Sequence, residues 1–160
     1  MEPPSICADS AMTSGVKDLK VWQESVVLAG EVVRAAKQAT RRETKSFTDE
    51  MMQSAVVVAS SIAQGYASYA PEEQRLAYSN ARRALLDLET RLSIARQAGL
   101  LQAPTVVQLG GRLHNVSRLL AGYVGYLDRQ AEHSALSLPH LAHTLRPELL
   151  GEQDLAAGLG

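Results

Sequence analysis

The residues able to do chemistry in this chain are few, and their spacing supports little of it. Histidines stand at His114, His133, His140 and His143. Only His140 and His143 have a metal-ligand spacing, and they lie in a Pro-flanked segment without cysteine or carboxylate support. Ser60 and Ser61 lack the local His–acid pairing that activates a hydroxyl, and they sit in the small-residue run Ala59–Ala63, which favours tight helix packing. The single cysteine, Cys7, allows no internal disulfide and has none of the positive, structured surroundings that make a reactive thiolate. No Glu-x-x-His occurs, which removes the di-iron carboxylate reading of a helical bundle. There is no glycine-rich phosphate loop and no dinucleotide fingerprint. The residues therefore point to a protein that is not an enzyme and takes no metal and no cofactor.

Charge is the remaining chemistry. The 160 residues carry 16 Lys+Arg against 17 Asp+Glu, so the whole chain gives no argument for a polyanionic partner. By region the picture changes. Residues 15–132 carry a net +3, while the segments before and after are acidic. The bases cluster at Arg34, Lys37, Arg41, Arg42 and Lys45, and again at Arg82 and Arg83. Repeated around an oligomer, these seven are the candidate contacts to the phosphates of RNA or single-stranded DNA. A solvated basic face is the plain alternative.

The elements that position these residues read as helices. Apolar residues make up 46% of the chain and aromatics 4%, too few aromatics for a large β-sandwich or barrel. Residues 1–15 read as a disordered, polar N-terminal tail without a secretory signal, and the longest apolar run, Ala55–Ala59, is far too short to span a bilayer. These features predict a cytoplasmic protein with no membrane partner. In residues 16–132 four stripes follow. Leu19, Trp22, Val26, Ala29, Val33 and Ala36 predict the core seam of the first helix. The basic cluster at residues 41–45 ends it, and Thr48 reads as the N-cap of the second, whose stripe is Met51, Ala55, Val58, Ile62 and Tyr66. Pro71 opens the third, with Ala81, Leu85, Leu88, Leu92 and Ala95 inward and Gly99 past its end. Pro104 opens the fourth, with Val106, Leu109, Leu113, Val116, Leu120, Tyr123 and Leu127 inward. Gly110 and Gly111 interrupt this stripe without changing its phase. They predict a continuous helix with a close neighbour or a slight kink there, or else a helix that starts at Arg112. Connections of about 8, 3 and 5 residues predict an antiparallel up-down-up-down four-helix bundle.

The seams leave large apolar residues over. Val27, Val32, Leu86, Ile94, Leu119 and Tyr126 fall outside them and are the candidate interface between copies of the chain. A wide core stripe is the alternative. Residues 133–160 form a Leu-rich, Pro-broken tail, partly ordered, which docks on a neighbour or a partner protein or packs on its own bundle.

Four segments carry a family resemblance. Lys20-Val21-Trp22-Gln23 resembles the Leu-x-Val-Trp-Gln opening of the four-helix-bundle proteins encoded in intervening sequences of bacterial large-subunit ribosomal RNA genes. Ser61-Ile62-Ala63-Gln64-Gly65-Tyr66 resembles that family's Asn-Ile-Ala-Glu-Gly stretch. Ala81 to Glu89 is similar to its Ala-x-Gly-Ser-x-x-Glu-Leu-Glu region, and Gly99-Leu100-Leu101 to its third-helix ending. The match covers residues 16–130. Ser61, Gln64 and Ser68 depart from the Asn, Glu and basic residue usual there. The resemblance implies a bundle assembling into a ring, typically a homopentamer, without enzymatic activity. It also implies a likeness to the accessory proteins of diversity-generating retroelements, which bind nucleic acid and a reverse transcriptase. The reading is therefore of an oligomeric scaffold or accessory protein that binds RNA or DNA, or of an adaptor that docks a partner protein alone.

Overall fold

The computed structural model describes residues 15–137, and among them there are four α-helices and no strand. The chain divides at residue 124 into two units. In the first, a 3-10 turn over Val16–Asp18 leads into α1 (Lys20–Ala39). A second 3-10 turn (Arg42–Thr44) leads into α2 (Lys45–Ala67), then come α3 (Pro71–Gln97) and the start of α4 (Ala103–Leu136). The second unit holds the rest of α4, where the Ser134 and Ser137 hydroxyls donate back to the carbonyls of Gln130 and His133. The N-terminal tail before Gly15, the tail after Ser137, Cys7 and the His140/His143 pair lie outside the described residues.

Local chemistry explains the helix boundaries. Pro71 sits in the first turn of α3, where its missing N–H costs nothing, and Glu72 and Glu73 face the positive end of the helix dipole. Gly99 ends α3 with φ +68°, the left-handed conformation that a side chain resists. The Leu100 and Gly99 N–H groups donate to the carbonyls of Ala95 (2.8 Å) and Arg96 (3.1 Å), a Schellman closure. Thr48 is not an N-cap. Helix α2 begins three residues earlier, and Thr48 lies inside it, buried, with its hydroxyl 2.9 Å from that of Thr40. The first connection is correspondingly shorter than the sequence predicts.

The core seams on α2, α3 and α4 fall where the sequence puts them. Met51, Ala55, Val58 and Ile62 are buried, as are Ala81, Leu85, Leu88, Leu92 and Ala95, and Leu109, Leu113, Val116 and Leu120. Tyr66 is exposed, and Val106, Tyr123 and Leu127 are half-buried. Helix α1 departs from the prediction by one residue. Its buried face is Val21, Ser25, Leu28, Val32 and Ala35, with Ala36 beside it. Ser25 is tolerated there because its hydroxyl donates to the Trp22 carbonyl at 2.7 Å. Leu28 is fully buried on this face, which stabilises by about 1.5–3 kcal/mol. Val32, a predicted interface residue, is 0% exposed and belongs to this core.

Tight backbone approach occurs at Gly65, where a Cβ would lie 2.6 Å from Cζ of Tyr78 and closer still to its Cε1. At Gly110 and Gly111 a Cβ would meet nothing within 4 Å, and α4 runs through them unbroken. The predicted close neighbour at that pair is therefore absent from the described residues.

Candidate functional site

Three surfaces emerge from these elements. The first grows out of the shifted register of α1. Trp22, Val26, Ala29, Val33 and Ala36 recur at 4-3-4-3 and lead to Thr40. They form a row adjacent to the buried face, so α1 is apolar on two sides. On α2 a matching row starts from Thr48, the residue that meets Thr40, and continues through Met52, Val56, Ala59, Ala63 and Tyr66. Val26 and Val56 are 42% and 46% exposed, and the other members are exposed or half-buried except Ala36 and Thr48. Of the predicted interface residues, Val27, Leu86, Ile94 and Tyr126 are exposed and Leu119 is half-buried. Leu86 and Ile94 do not share a face. Leu86 lines a recess with Arg82, Glu89, Leu113 and Ser117, while Ile94, eight residues on, turns toward the side of Asp87 and Arg91. The sequence shows only the α1 row of this face, and shows it as a core seam; of the α2 row it places Tyr66 alone, also in the core.

The second surface is basic. Arg34, Lys37, Arg41 and Arg42 are exposed and form no ion pair among the described residues. Lys45 is held by Asp49 at 2.5 Å, one turn along α2. Arg82 and Arg83 are not part of this cluster. Arg91 is level with Glu50, so Arg83 stands about 20 Å from Lys45 along the helix axes. The two arginines also diverge, Arg83 toward α2 and Arg82 toward α4. The seven predicted phosphate contacts thus split into a cluster of five and a separated pair.

The third surface has no counterpart in the sequence reading. Between α2 and α3 runs a groove of about 640 Å³, lined by polar side chains around Val57 and Ala84. On one wall stand Gln53, Ser60 and Gln64 of α2, and on the other Asn80, Arg83 and Asp87 of α3. Its charges form a chain. The Ser54 hydroxyl lies near both the Glu50 carbonyl (3.0 Å) and the Asp87 carboxylate, and its one proton goes to the carboxylate, the stronger acceptor. Arg91 donates from Nε to Asp87 (2.9 Å) and from a terminal nitrogen to Glu50 (2.6 Å). Hydrogen bonding from Ser54 and then Arg91 holds Asp87 below the usual carboxylate range, and Asp87 in turn raises the pKa of Arg91. Gln53, Ser60 and Gln64 at 7-4 spacing, with Ser54 and Ser61 seven residues apart beside them, are the sequence signal that a polar strip flanks the α2 core.

Two further groups complete the inventory. Arg112 of α4 reaches two carboxylates of α1, Glu31 at 2.7 Å and Glu24 at 3.8 Å. A hydrogen bond from Lys20 holds the Glu24 pKa down, with Arg112 adding to it. Tyr78 packs edge-on against Tyr123 with centroids 5.6 Å apart; its buried hydroxyl has no hydrogen-bond partner among the described residues, and burial raises its pKa. Among the described residues no three His, Cys, Asp or Glu gather as a metal site, and no helix is long and apolar enough to cross a membrane.

A family model described as 23S rRNA-intervening sequence protein matches residues 17–122. No curated protein matches the chain.

Proposed function

Because the chain belongs to the 23S rRNA-intervening sequence protein family, we propose that it is a non-enzymatic cytoplasmic scaffold built from copies of itself. In this reading each copy is an antiparallel four-helix bundle, and the bundles close into a ring of about five. The antiparallel arrangement is supported by the α2–α3 pairings, in which Glu50 meets Arg91, Ser54 meets Asp87 and Gly65 lies against Tyr78. Self-association rests on one observation, the double apolar face of α1. A helix that turns Val21, Leu28 and Val32 into its own core and still presents Trp22, Val26 and Val33 outward has more apolar surface than one bundle consumes. The partner surface is then the α1–α2 row rather than the scattered residues Leu86, Ile94, Leu119 and Tyr126. Light scattering on the eluting full chain tests this. A particle of several chain masses supports the scaffold, and a monomer at micromolar concentration sinks it.

The free cations Arg34, Lys37, Arg41 and Arg42 supply the second half of the reading. Multiplied around a ring they hold the phosphates of RNA or single-stranded DNA, and binding falls steeply with salt. A low-salt gel shift with both nucleic acids tests it, and silence with both refutes it. The separation of Arg82 and Arg83 from the cluster favours the second reading, an adaptor whose partner is a protein, such as a reverse transcriptase, without nucleic acid.

A further inference from the structure

We propose that the α2–α3 groove is a binding site for an extended peptide segment carrying one carboxylate, with Arg83 as the group that reads it. The site stands independently of the ring and of nucleic acid.

The charges select the ligand class. Glu50 and Asp87 oppose Arg83 and Arg91, so the groove is neutral overall and offers a polyanionic phosphate backbone no net attraction. Three of these four charges are consumed among themselves, since Arg91 binds both acids. Arg83 is the remainder. It lines the groove and forms no ion pair among the described residues. A guanidinium presenting a fork of N–H donors in a neutral groove matches a single carboxylate.

The neutral polar groups select an extended peptide. Gln53, Gln64 and Asn80 each present an amide donor and an amide acceptor, and none has a side-chain hydrogen bond among the described residues. That is the pairing a peptide backbone requires. From Gln53 to Gln64 the wall is about 16 Å long, which holds about five residues of extended chain. The floor adds one more polar group. Ser61 is only 4% exposed and lines the groove, yet its hydroxyl has no hydrogen-bond partner among the described residues. Serine inside a helix ordinarily donates to the carbonyl four residues back, as Ser54 and Ser60 are placed to do. Open to the groove and to water, this hydroxyl is one more group that an occupant can bond.

The test uses the full chain and a displayed library of random heptapeptides. Enriched peptides carrying Asp or Glu at one fixed position are expected. Their binding should weaken at least tenfold in Arg83→Glu and in Ser60→Trp, which fills the groove from an exposed position. Panning against Arg83→Glu should instead recover peptides with Lys or Arg at that position. Arg41→Ser with Arg42→Ser should leave peptide binding unchanged, which separates this site from the basic cluster. Far-ultraviolet circular dichroism and particle mass confirm that each variant folds. Enrichment of peptides without a carboxylate, binding indifferent to Arg83→Glu and Ser60→Trp, or no enrichment at all overturns the proposal.

Discussion

Helix α2 has two outward flanks of opposite chemistry. Toward α1 it presents Met52, Val56, Ala59, Ala63 and Tyr66, continuing the apolar row of α1. Toward α3 it presents Gln53, Ser60 and Gln64 around the half-buried Val57, facing Asn80, Arg83 and Asp87. Both flanks border the same buried stripe, so the difference is not imposed by the fold of one chain. Water solvates the polar flank at no cost. The apolar flank costs roughly 25 cal/mol for every Å² it leaves wet. The first is suited to an occupant that comes and goes, the second to a contact that persists.

The sharpest way to break this comparison is to put charge on the apolar flank. Val26→Glu combined with Val56→Glu is expected to reduce the particle to the mass of a single chain, read by light scattering. Both residues are partly exposed, so the helicity should survive. If the large particle persists, the apolar flank is not the contact.

Next in size is the seam where α2 and α3 come closest. Gly65→Ala drives a methyl group into the Tyr78 ring, and the overpacking costs about 1–3 kcal/mol in urea unfolding. Repeating the substitution in a Tyr78→Leu background should cost markedly less, because the clash partner is gone. Equal costs in both backgrounds would place the penalty elsewhere. Gly110→Ala and Gly111→Ala are the counter-case. With nothing within 4 Å of either Cβ, each should stabilise by about 0.5–1 kcal/mol through helix propensity alone.

These glycines show what the sequence could and could not display. Three of the four core stripes were legible because a single apolar face leaves one solution to the periodicity. Helix α1 carries two interleaved stripes, one residue apart, and periodicity scores both. Burial of Leu28 rather than Val26 depends on the partners opposite, which only the folded chain shows. The same holds for glycine. Nothing in the spacing marks Gly65 as a contact, yet a Cβ there would enter the Tyr78 ring, while Gly110 and Gly111, for which a close neighbour was one reading, are open. Of the candidate site residues, the cluster at 34–45 was visible as a local run. The α2–α3 groove joins residues of two helices 16 to 41 positions apart, of types that solvated faces carry everywhere, and no spacing rule gathers them across the two helices.

The smallest effect tests whether the polar flank is preorganised by charge. Asp87 has its folded pKa depressed by the Ser54 hydroxyl and by Arg91. A depressed carboxylate contributes stability that is present above its unfolded pKa of about 3.9 and is lost as pH falls through the lower folded value. Asp87 is half exposed, so the contribution is that of a surface ion pair, about 0.2–1 kcal/mol. Asp87→Asn should therefore unfold slightly more easily than the parent at pH 7. The two urea midpoints should converge as the solution is acidified below the carboxylate range. Added salt should shrink the gap at pH 7, because the Arg91–Asp87 attraction is screened. A gap that stays constant from pH 7 to pH 2.5 would mean that shape rather than charge holds the groove. Arg91 would then not be committed to its acids, and Arg83 would lose its standing as the one unpaired cation there.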